Sequence, residues 1–229
     1  MQLLSSLTRK YLMALTGLGL VIFVILHLLG NVLLYFPHGE AFNAYALKLE
    51  SLGALLLIAE GGLVGTFLVH ILLAFGVTWT KSSARPIGYQ MSVSKGGDSK
   101  NTILSRNMII TGVVLLVFVV LHIWHFKFGP GMAEGYVTEI KGEKARDLHR
   151  WVVESFQNGW IVTGYVAVMI VLGSHIRHGF WSAFQSLGLN YPKCSKPIYC
   201  FAAVLAVLLA LGFLGIPIWI YLGLGGAAK

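Results

Sequence analysis

Four histidines lie inside long stretches of the sequence that carry little or no charge. They are His27, His70, His122 and His175. A neutral imidazole in such surroundings either binds a transition metal or makes a hydrogen bond to a neighbouring helix. Either role explains one such histidine equally well. Four of them on four stretches favour a shared function, because ionisable residues within membranes are rare and face the protein interior.

The stretches that carry these histidines are long enough to cross a membrane as helices. The chain has 229 residues, of which 56% are hydrophobic and 11% charged, unlike ordinary soluble domains. Since a bilayer core needs about 20 apolar residues of helix, the sequence predicts an all-α integral membrane protein with five transmembrane helices. The predicted helices cover about residues 11–36, 52–80, 106–128, 155–185 and 197–223 of one membrane domain, 1–229.

The basic residues are sorted by loop, and this sorting predicts the orientation of the helices. The N-terminus and the second and fourth loops are rich in lysine and arginine, whereas the first and third loops are balanced. By the positive-inside rule, the N-terminus is cytoplasmic and the C-terminus lies outside. The net charge of +8 is therefore a topological signal and does not indicate nucleic-acid binding. In the first outer loop, residues 37–51 have the spacing of a short amphipathic helix.

This orientation sorts the four histidines into two levels. The outer level has His27 and His122, from the first and third helices. The inner level has His70 and His175, from the second and fourth. Two imidazoles from two helices at one depth are what a haem iron with bis-histidine ligation requires. The sequence therefore predicts two haems b, one for each pair, in a four-helix bundle of the first four helices. A proton relay would place its histidines at staggered depths instead.

Other basic residues near these levels are candidates for secondary contacts. His125 and His178 each lie three residues beyond a predicted ligand and nearer to the interface, which favours contacts with haem propionates or water. On the inner side, the candidate partners of the inner propionates are Arg9, Lys10, Arg106 and Arg177. The same residues are equally well explained as interfacial anchors.

Glycines precede the predicted ligands at a helical spacing. Gly17, Gly112 and Gly164 lie 10 or 11 residues before a histidine of the same helix, and Gly61 and Gly62 lie nine and eight before His70. Because about three helical turns separate such positions, each helix would offer a ligand at one haem level and a small residue at the other. The alternative explanation is close helix packing, since glycine is common where membrane helices meet.

Glu60 is the only acidic residue inside any of the apolar runs. It precedes His70 by ten residues and therefore lies about 15 Å outward along the helix, close to the outer haem level. A carboxyl group at this place can exchange a proton with a quinone. The alternative is a neutral carboxyl that hydrogen-bonds to a neighbouring helix, because a buried carboxylate is costly unless it is paired.

The whole chain resembles the cytochrome b membrane anchor of succinate:quinone oxidoreductases and fumarate reductases, in its five-helix, di-haem form. The stretches that carry the resemblance are SSLTRKYLMALTGL, LHLLGN, GEAFNAY, LVHILLAFG, LHIWH and HIRHGFWSAFQSLG. The resemblance implies that the four histidines are the haem ligands and that Glu60 transfers protons at a quinone site near the outer haem. It also relates Ser5, Ser6 and Arg9 to a quinone pocket of other family branches, or to partner docking.

The resemblance implies partners and a place in the cell as well. Anchors of this family bind a flavoprotein with covalent FAD and an iron–sulfur subunit on the cytoplasmic side, and exchange electrons with menaquinone or ubiquinone. The expected function is that of the membrane subunit of a succinate dehydrogenase or fumarate reductase in a bacterial cytoplasmic membrane. Three alternatives stay open: a cytochrome b subunit of a formate dehydrogenase or hydrogenase, a haem-free proton-coupled transporter, and a structural anchor without haem.

Overall fold

Long membrane-crossing helices dominate the structure, as the sequence predicts. A computed structural model describes residues 5–83, 107–189 and 191–224. In these ranges, five helices are long and apolar enough to cross a membrane. They are Ser6–Tyr35, Ala54–Thr80, Met108–Lys127, Gly159–Ser186 and Lys193–Tyr221. The chain is therefore a multi-pass membrane protein.

The described ranges contain seven α-helices and one β-hairpin. In chain order they are α1 (Ser6–Asn31), α2 (Glu40–Glu50), α3 (Ala54–Ser83), α4 (Met108–His122), β1 (Val137–Ile140), β2 (Glu143–Arg146), α5 (Leu148–Phe156), α6 (Gly159–Ser186) and α7 (Pro192–Tyr221). Short turns extend this set: the 3₁₀ turn Val32–Tyr35 continues α1, the π-helical turn Ile123–Lys127 continues α4, and the 3₁₀ turn Met132–Glu134 precedes the hairpin. The crossing helices are α1, α3, α4, α6 and α7.

The connections alternate between the two ends of the crossing helices. One end carries the start of α1, the end of α3 and the connection from α6 to α7, and is called the inner side. The other end carries residues 36–53 and 128–158 and is called the outer side. The two names follow the orientation that the charge distribution predicts.

Side-chain caps fix where three of the helices begin. The Ser5 hydroxyl accepts a hydrogen bond from the N–H of Thr8 at the start of α1 (3.1 Å), and Asp147 accepts one from the N–H of Arg150 in α5 (3.0 Å). Asn158 caps α6 in the same way. These caps satisfy N–H groups that have no partner within the helix. Ser5 therefore has a structural task of its own, apart from the quinone or docking role expected from the resemblance.

The crossing helices pack through small residues. The most extensive helix contact is between α6 and α7, and α1 lies against both. A Cβ atom on Gly173 would lie 2.9 Å from Cβ of Ala210 and 3.3 Å from the carbonyl oxygen of Ala206, and such small residues let membrane helices approach closely. α3 packs mainly on α1, and α4 mainly on α6. These two contacts bring the histidine-bearing helices together.

An outer cap, made of α2, the hairpin and α5, covers the outer ends of the helices. The amphipathic helix predicted in the first outer loop is present as α2, but neither the hairpin nor α5 was predicted. The buried amide of Asn43 joins the two loops, since it donates to Asp147 (2.8 Å) and accepts from the N–H of His149 (2.9 Å). The described chain is therefore mainly helical with one short hairpin. The fourth crossing helix was predicted from about residue 155 and begins at Gly159, because α5 ends at Phe156 and a separate helix follows it.

Candidate cofactor site

The rings of His27 and His122 lie against each other at the outer level. Their centroids are 5.8 Å apart and their planes are nearly perpendicular, at 89°. Phe23 stacks on the His27 ring and Phe118 on the His122 ring, each with 5.4 Å between ring centroids. Phe213 of α7 lies 5.9 Å from the His27 ring. Two imidazoles from two helices thus face each other inside an aromatic enclosure.

His70 of α3 and His175 of α6 occupy the inner level. Each of the two rings faces a glycine of a neighbouring helix. A Cβ atom on Gly17 of α1 would lie 3.4 Å from Cε1 of His70, and one on Gly112 of α4 would lie 3.6 Å from Cε1 of His175. The helices that carry the outer histidines therefore provide small residues beside the inner ones, as the glycine spacing predicts.

The glycines of α3 and α6 behave differently. A Cβ atom on Gly61, Gly62 or Gly164 would meet no atom of the described residues within 4 Å. All three glycines are exposed, so no close helix contact is seen at them within the described ranges.

Hydroxyl groups contact the Nδ1 atoms of three of the four rings. The contacts are Thr16 to His70 (3.3 Å), Thr111 to His175 (2.9 Å) and Tyr165 to His122 (3.1 Å). A partner on Nδ1 leaves Nε2 as the nitrogen available to a metal, and such partners orient metal-binding imidazoles. None of the three hydroxyls was predicted from the sequence. The sequence does hold an indication of the two threonines, because each one directly precedes a glycine predicted to lie beside an inner histidine.

Glu60 forms an ion pair with Lys127 in the π-helical turn that ends α4. The two side chains keep 36% and 48% of their exposure, so the pair lies at an accessible edge between α3 and α4. Glu60 of α3 thus contacts a lysine at the outer end of α4.

His125 turns away from the outer pair and towards the outer cap. Its Nε2 lies 3.1 Å from the hydroxyl of Ser155, and its ring stacks on Phe126 with 4.5 Å between centroids. Its carbonyl oxygen accepts a hydrogen bond from the indole N–H of Trp151 (2.9 Å). These contacts tie His125 to α5 and leave His122 as the residue of this turn that faces His27.

The two described arginines of the inner side differ in what they contact. Arg9 donates to the hydroxyl of Thr80 (3.2 Å), while its Nε is buried without a partner among the described residues. Arg177 donates to the hydroxyl of Tyr199 (2.7 Å), and its guanidinium carbon lies 5.3 Å from the centre of that ring. Arg9 thus retains a donor for an acidic group, whereas Arg177 is directed towards α7.

The predicted secondary contacts of His178 and Arg106 stay predictions. His178 lies in α6, three residues after His175. Arg106 lies outside the described residues, so its predicted contact with a propionate stays a prediction.

A cavity of about 390 Å³ lies at the outer end of α4, beside the outer cap. Its lining consists of Leu121, Trp124, His125, Phe128, Gly129 and Trp151. Mostly apolar and aromatic walls with a few polar atoms are typical of sites for small organic ligands. The same turn of the chain carries Lys127, so the cavity adjoins the part of the structure that holds Glu60.

Comparisons with protein families, curated proteins and solved structures found no match to this chain. Its function is therefore inferred from the two histidine pairs and the residues around them.

Proposed function

We propose that this chain is the di-haem cytochrome b anchor of a succinate dehydrogenase or fumarate reductase, and that it passes electrons between an iron–sulfur subunit and membrane quinone. The observation that carries the proposal is the contact of His27 with His122 at the outer level, together with His70 beside Gly17 and His175 beside Gly112 at the inner level. Bis-histidine ligation needs one imidazole from each of two helices at one depth. Two haems need this arrangement twice.

The outer pair would hold a haem through one imidazole from each of two helices. The ring centroids of His27 and His122 are 5.8 Å apart. Gly61, Gly62 and Gly164, which the spacing assigns to this level, carry no side chain that would obstruct a flat macrocycle. Haem b bound by these residues would supply one-electron transfer.

The inner pair fits the same chemistry through its second contacts. The hydroxyls of Thr16 and Thr111 engage Nδ1 of His70 and His175, and ligating histidines commonly have such a partner on the other ring nitrogen. Arg9 supports a propionate at this level, since its buried Nε lacks a partner among the described residues. Arg106 and Arg177 are further proposed partners of the propionates.

The residues around Glu60 suit a quinone site on the outer side. The Glu60 carboxylate can accept a proton from a quinol hydroxyl when the quinol is oxidised, and it can return one in the reverse reaction. Lys127 can donate a hydrogen bond to a quinone carbonyl. The aromatic cavity beside the π-helical turn is large enough to admit part of a quinone ring. The proposed substrate is menaquinone or ubiquinone.

The proposed partners dock on the inner side. They are a flavoprotein with covalent FAD and an iron–sulfur subunit, in a bacterial cytoplasmic membrane. Under this proposal the chain does not oxidise succinate by itself and acts as the membrane subunit of the enzyme. The contrast between the two loop types in basic residues supports an inner side that faces the cytoplasm.

The pairing of the histidines also separates this proposal from its alternatives. A proton relay in a transporter needs histidines at successive depths, whereas the rings of His27 and His122 lie together. A structural anchor needs no hydroxyl on Nδ1 of three histidines within its crossing helices. A cytochrome b of a formate dehydrogenase or hydrogenase shares the haem chemistry, and reduction of the purified complex by succinate distinguishes the two.

Haem content tests the proposal directly. A pyridine haemochrome spectrum of the purified full-length chain should give two haems b per chain, and fewer than two would refute the proposal. Alanine variants of His27 and His122 should remove one and the same haem signal, and alanine variants of His70 and His175 the other. His38→Asn is the matched control, since His38 is exposed in the first outer loop and has a positive φ that asparagine tolerates. Loss of different signals within one pair would contradict the pairing.

A further inference from the structure

We propose that Thr16 and Thr111 fix the tautomer of the inner histidine pair and act as its positioning residues. Each hydroxyl holds a proton on Nδ1 of the histidine it faces, which leaves the lone pair of Nε2 free to bind a metal. The inference rests on the proposed function for its consequences at haem. The hydrogen-bond geometry that supports it is independent of any cofactor.

The hydroxyl hydrogen of Thr16 is donated within its own helix. Its Oγ1 donates to the carbonyl oxygen of Leu12 at 2.7 Å, with Met13 as a longer second acceptor at 3.2 Å. A hydroxyl has only one hydrogen to donate and two lone pairs with which to accept. Because backbone carbonyls accept only, the hydrogen of Thr16 is committed to its own helix. The contact with Nδ1 of His70 at 3.3 Å must therefore be an N–H donated by the histidine.

Thr111 repeats this arrangement on a different helix. Its Oγ1 donates to the carbonyl oxygen of Met108 at 3.0 Å and lies 2.9 Å from Nδ1 of His175. With its hydrogen on the Met108 carbonyl, which can only accept, the Thr111 hydroxyl accepts the N–H of Nδ1 of His175. Both members of the inner pair are thus held in one tautomer by a threonine of a neighbouring helix.

The outer pair is not held in this way. Tyr165 contacts Nδ1 of His122, but no acceptor for its own hydrogen is found in the described ranges. The direction of that hydrogen bond is therefore not fixed by geometry. The His27 ring packs against Phe23 and Phe213. The geometry thus assigns tautomers only to the two inner histidines.

A third threonine provides a natural control. Thr163 also precedes a glycine, and its hydroxyl donates to the carbonyl oxygen of Gly159 at 2.8 Å. It is exposed and points away from the histidines, since no contact with a ring is found for it among the described residues. Replacing Thr163 with valine removes the same kind of bond within a helix without affecting any imidazole.

An Nδ1–H that donates to a hydroxyl makes an imidazole a more basic ligand. A more basic axial ligand favours ferric over ferrous iron and so lowers the reduction potential of the haem it binds. Removing the acceptor should therefore raise the potential of one haem and leave the other unchanged. A residue that serves only the packing of the helices would not have this selective effect.

The experiment is a potentiometric titration of both haems in the full-length chain, with valine and serine variants of Thr16 and Thr111. Thr16→Val and Thr111→Val should each raise the midpoint potential of the same haem, the one that His70→Ala and His175→Ala remove. The double variant should raise it further. Thr16→Ser and Thr111→Ser keep the hydroxyl and should retain the wild-type potential, and Thr163→Val should change neither haem.

The experiment distinguishes failure of the proposed function from failure of the tautomer assignment. If the wild-type chain does not bind two haems, the proposed function itself is wrong. If it binds two and the valine variants match Thr163→Val, or if both haems shift equally, the tautomer assignment is wrong. If a valine variant loses a haem altogether, the loss should fall on the inner one and the matching serine variant should restore it. Loss of the outer haem, or no recovery with serine, would overturn the inference.

Discussion

Arg146 connects the outer cap to the end of α4, next to the outer histidine pair. Its Nε donates to the carbonyl oxygen of Pro130 (2.8 Å) and its Nη2 to that of Phe126 (3.0 Å), and a longer bond reaches Lys127 (3.4 Å). Carbonyls at the end of a helix lack partners within it and carry partial negative charge. A cation with several donors in one plane therefore stabilises this turn. Burial lowers the pKa of Arg146 below its usual value, yet a guanidinium keeps its charge in proteins.

The size of the effect follows from the two short bonds. A hydrogen bond to a charged group contributes about 1.5–3 kcal/mol, and partial exposure of the Arg146 side chain reduces the sum for two of them to about 2–4 kcal/mol. Lysine keeps the charge and one bond, so Arg146→Lys should cost about 1–2 kcal/mol and Arg146→Met about 2–4 kcal/mol. For a chain of this length, each kcal/mol lowers Tm by about 2–4 °C. The expected decrease for Arg146→Met is therefore roughly 4–16 °C.

Thermal unfolding in detergent, followed by tryptophan fluorescence and by the absorbance of the two proposed haems, measures this effect. Lys144→Met is the matched control, because Lys144 is an exposed cation of the same strand. The haem signal that depends on His122 should disappear at a lower temperature than the one that depends on His175. Equal Tm values for the Arg146 variants and the Lys144 control would refute the reasoning, as would earlier loss of the inner signal.

Two further predictions concern charged groups of the outer side. Burial lowers the pKa of His149 from 6.5, although Asp147 opposes the shift, so the folded state binds fewer protons and stability should fall as the pH drops below about 6.5. His149→Gln should flatten this dependence in thermal scans at about pH 5–7, and an unchanged slope would contradict the assignment. Glu60→Gln and Lys127→Met should each slow quinone-coupled turnover with both haems retained. The double variant should be no slower than the worse single variant, since either change breaks the ion pair, and full additivity would show independent roles.

Hydropathy predicts the crossing helices because the physical demand on them is simple. A segment of about 20 apolar residues in a bilayer must satisfy its own backbone hydrogen bonds and can do so only as a helix. The level of His27, His70, His122 and His175 follows from the same argument, because depth in a membrane helix is a count of residues. The sequence thus predicts which histidines share a level, and it does so without knowledge of the contacts between helices.

The structure of the outer cap is not predicted because the sequence patterns that would indicate it are weak. Its hairpin has strands of four residues each, and the turn between them places Lys141 and Gly142 at positive φ, +53° and +86°. Two-residue hairpin turns with positive φ usually have the sequence Asn-Gly or Asp-Gly, so lysine in the first position does not predict such a turn. The bonds that hold Asn43 to Asp147 and His149 join residues more than a hundred positions apart. No local pattern contains that information.

The threonine contacts were missed for a different reason, which the spacing along each helix explains. Thr16 precedes His27 by 11 residues, as Thr111 precedes His122, and 11 residues return a helix to within about 20° of the same face, some 16 Å further along. On α6 the residue 11 positions before His175 is Gly164. Thr163, the residue before it, therefore lies about 100° around the helix from Gly164.

The dipeptide Thr-Gly therefore places its threonine differently in different helices. The placement depends on the number of residues between the threonine and the histidine of the same helix. In α1 and α4, a single face carries the outer histidine and the hydroxyl that faces an inner histidine. Rotation of either helix about its axis would displace both groups together, which couples the geometry of the two levels. The packing of α1 and α4 therefore controls the inner pair as well as the outer pair, although the inner histidines belong to α3 and α6.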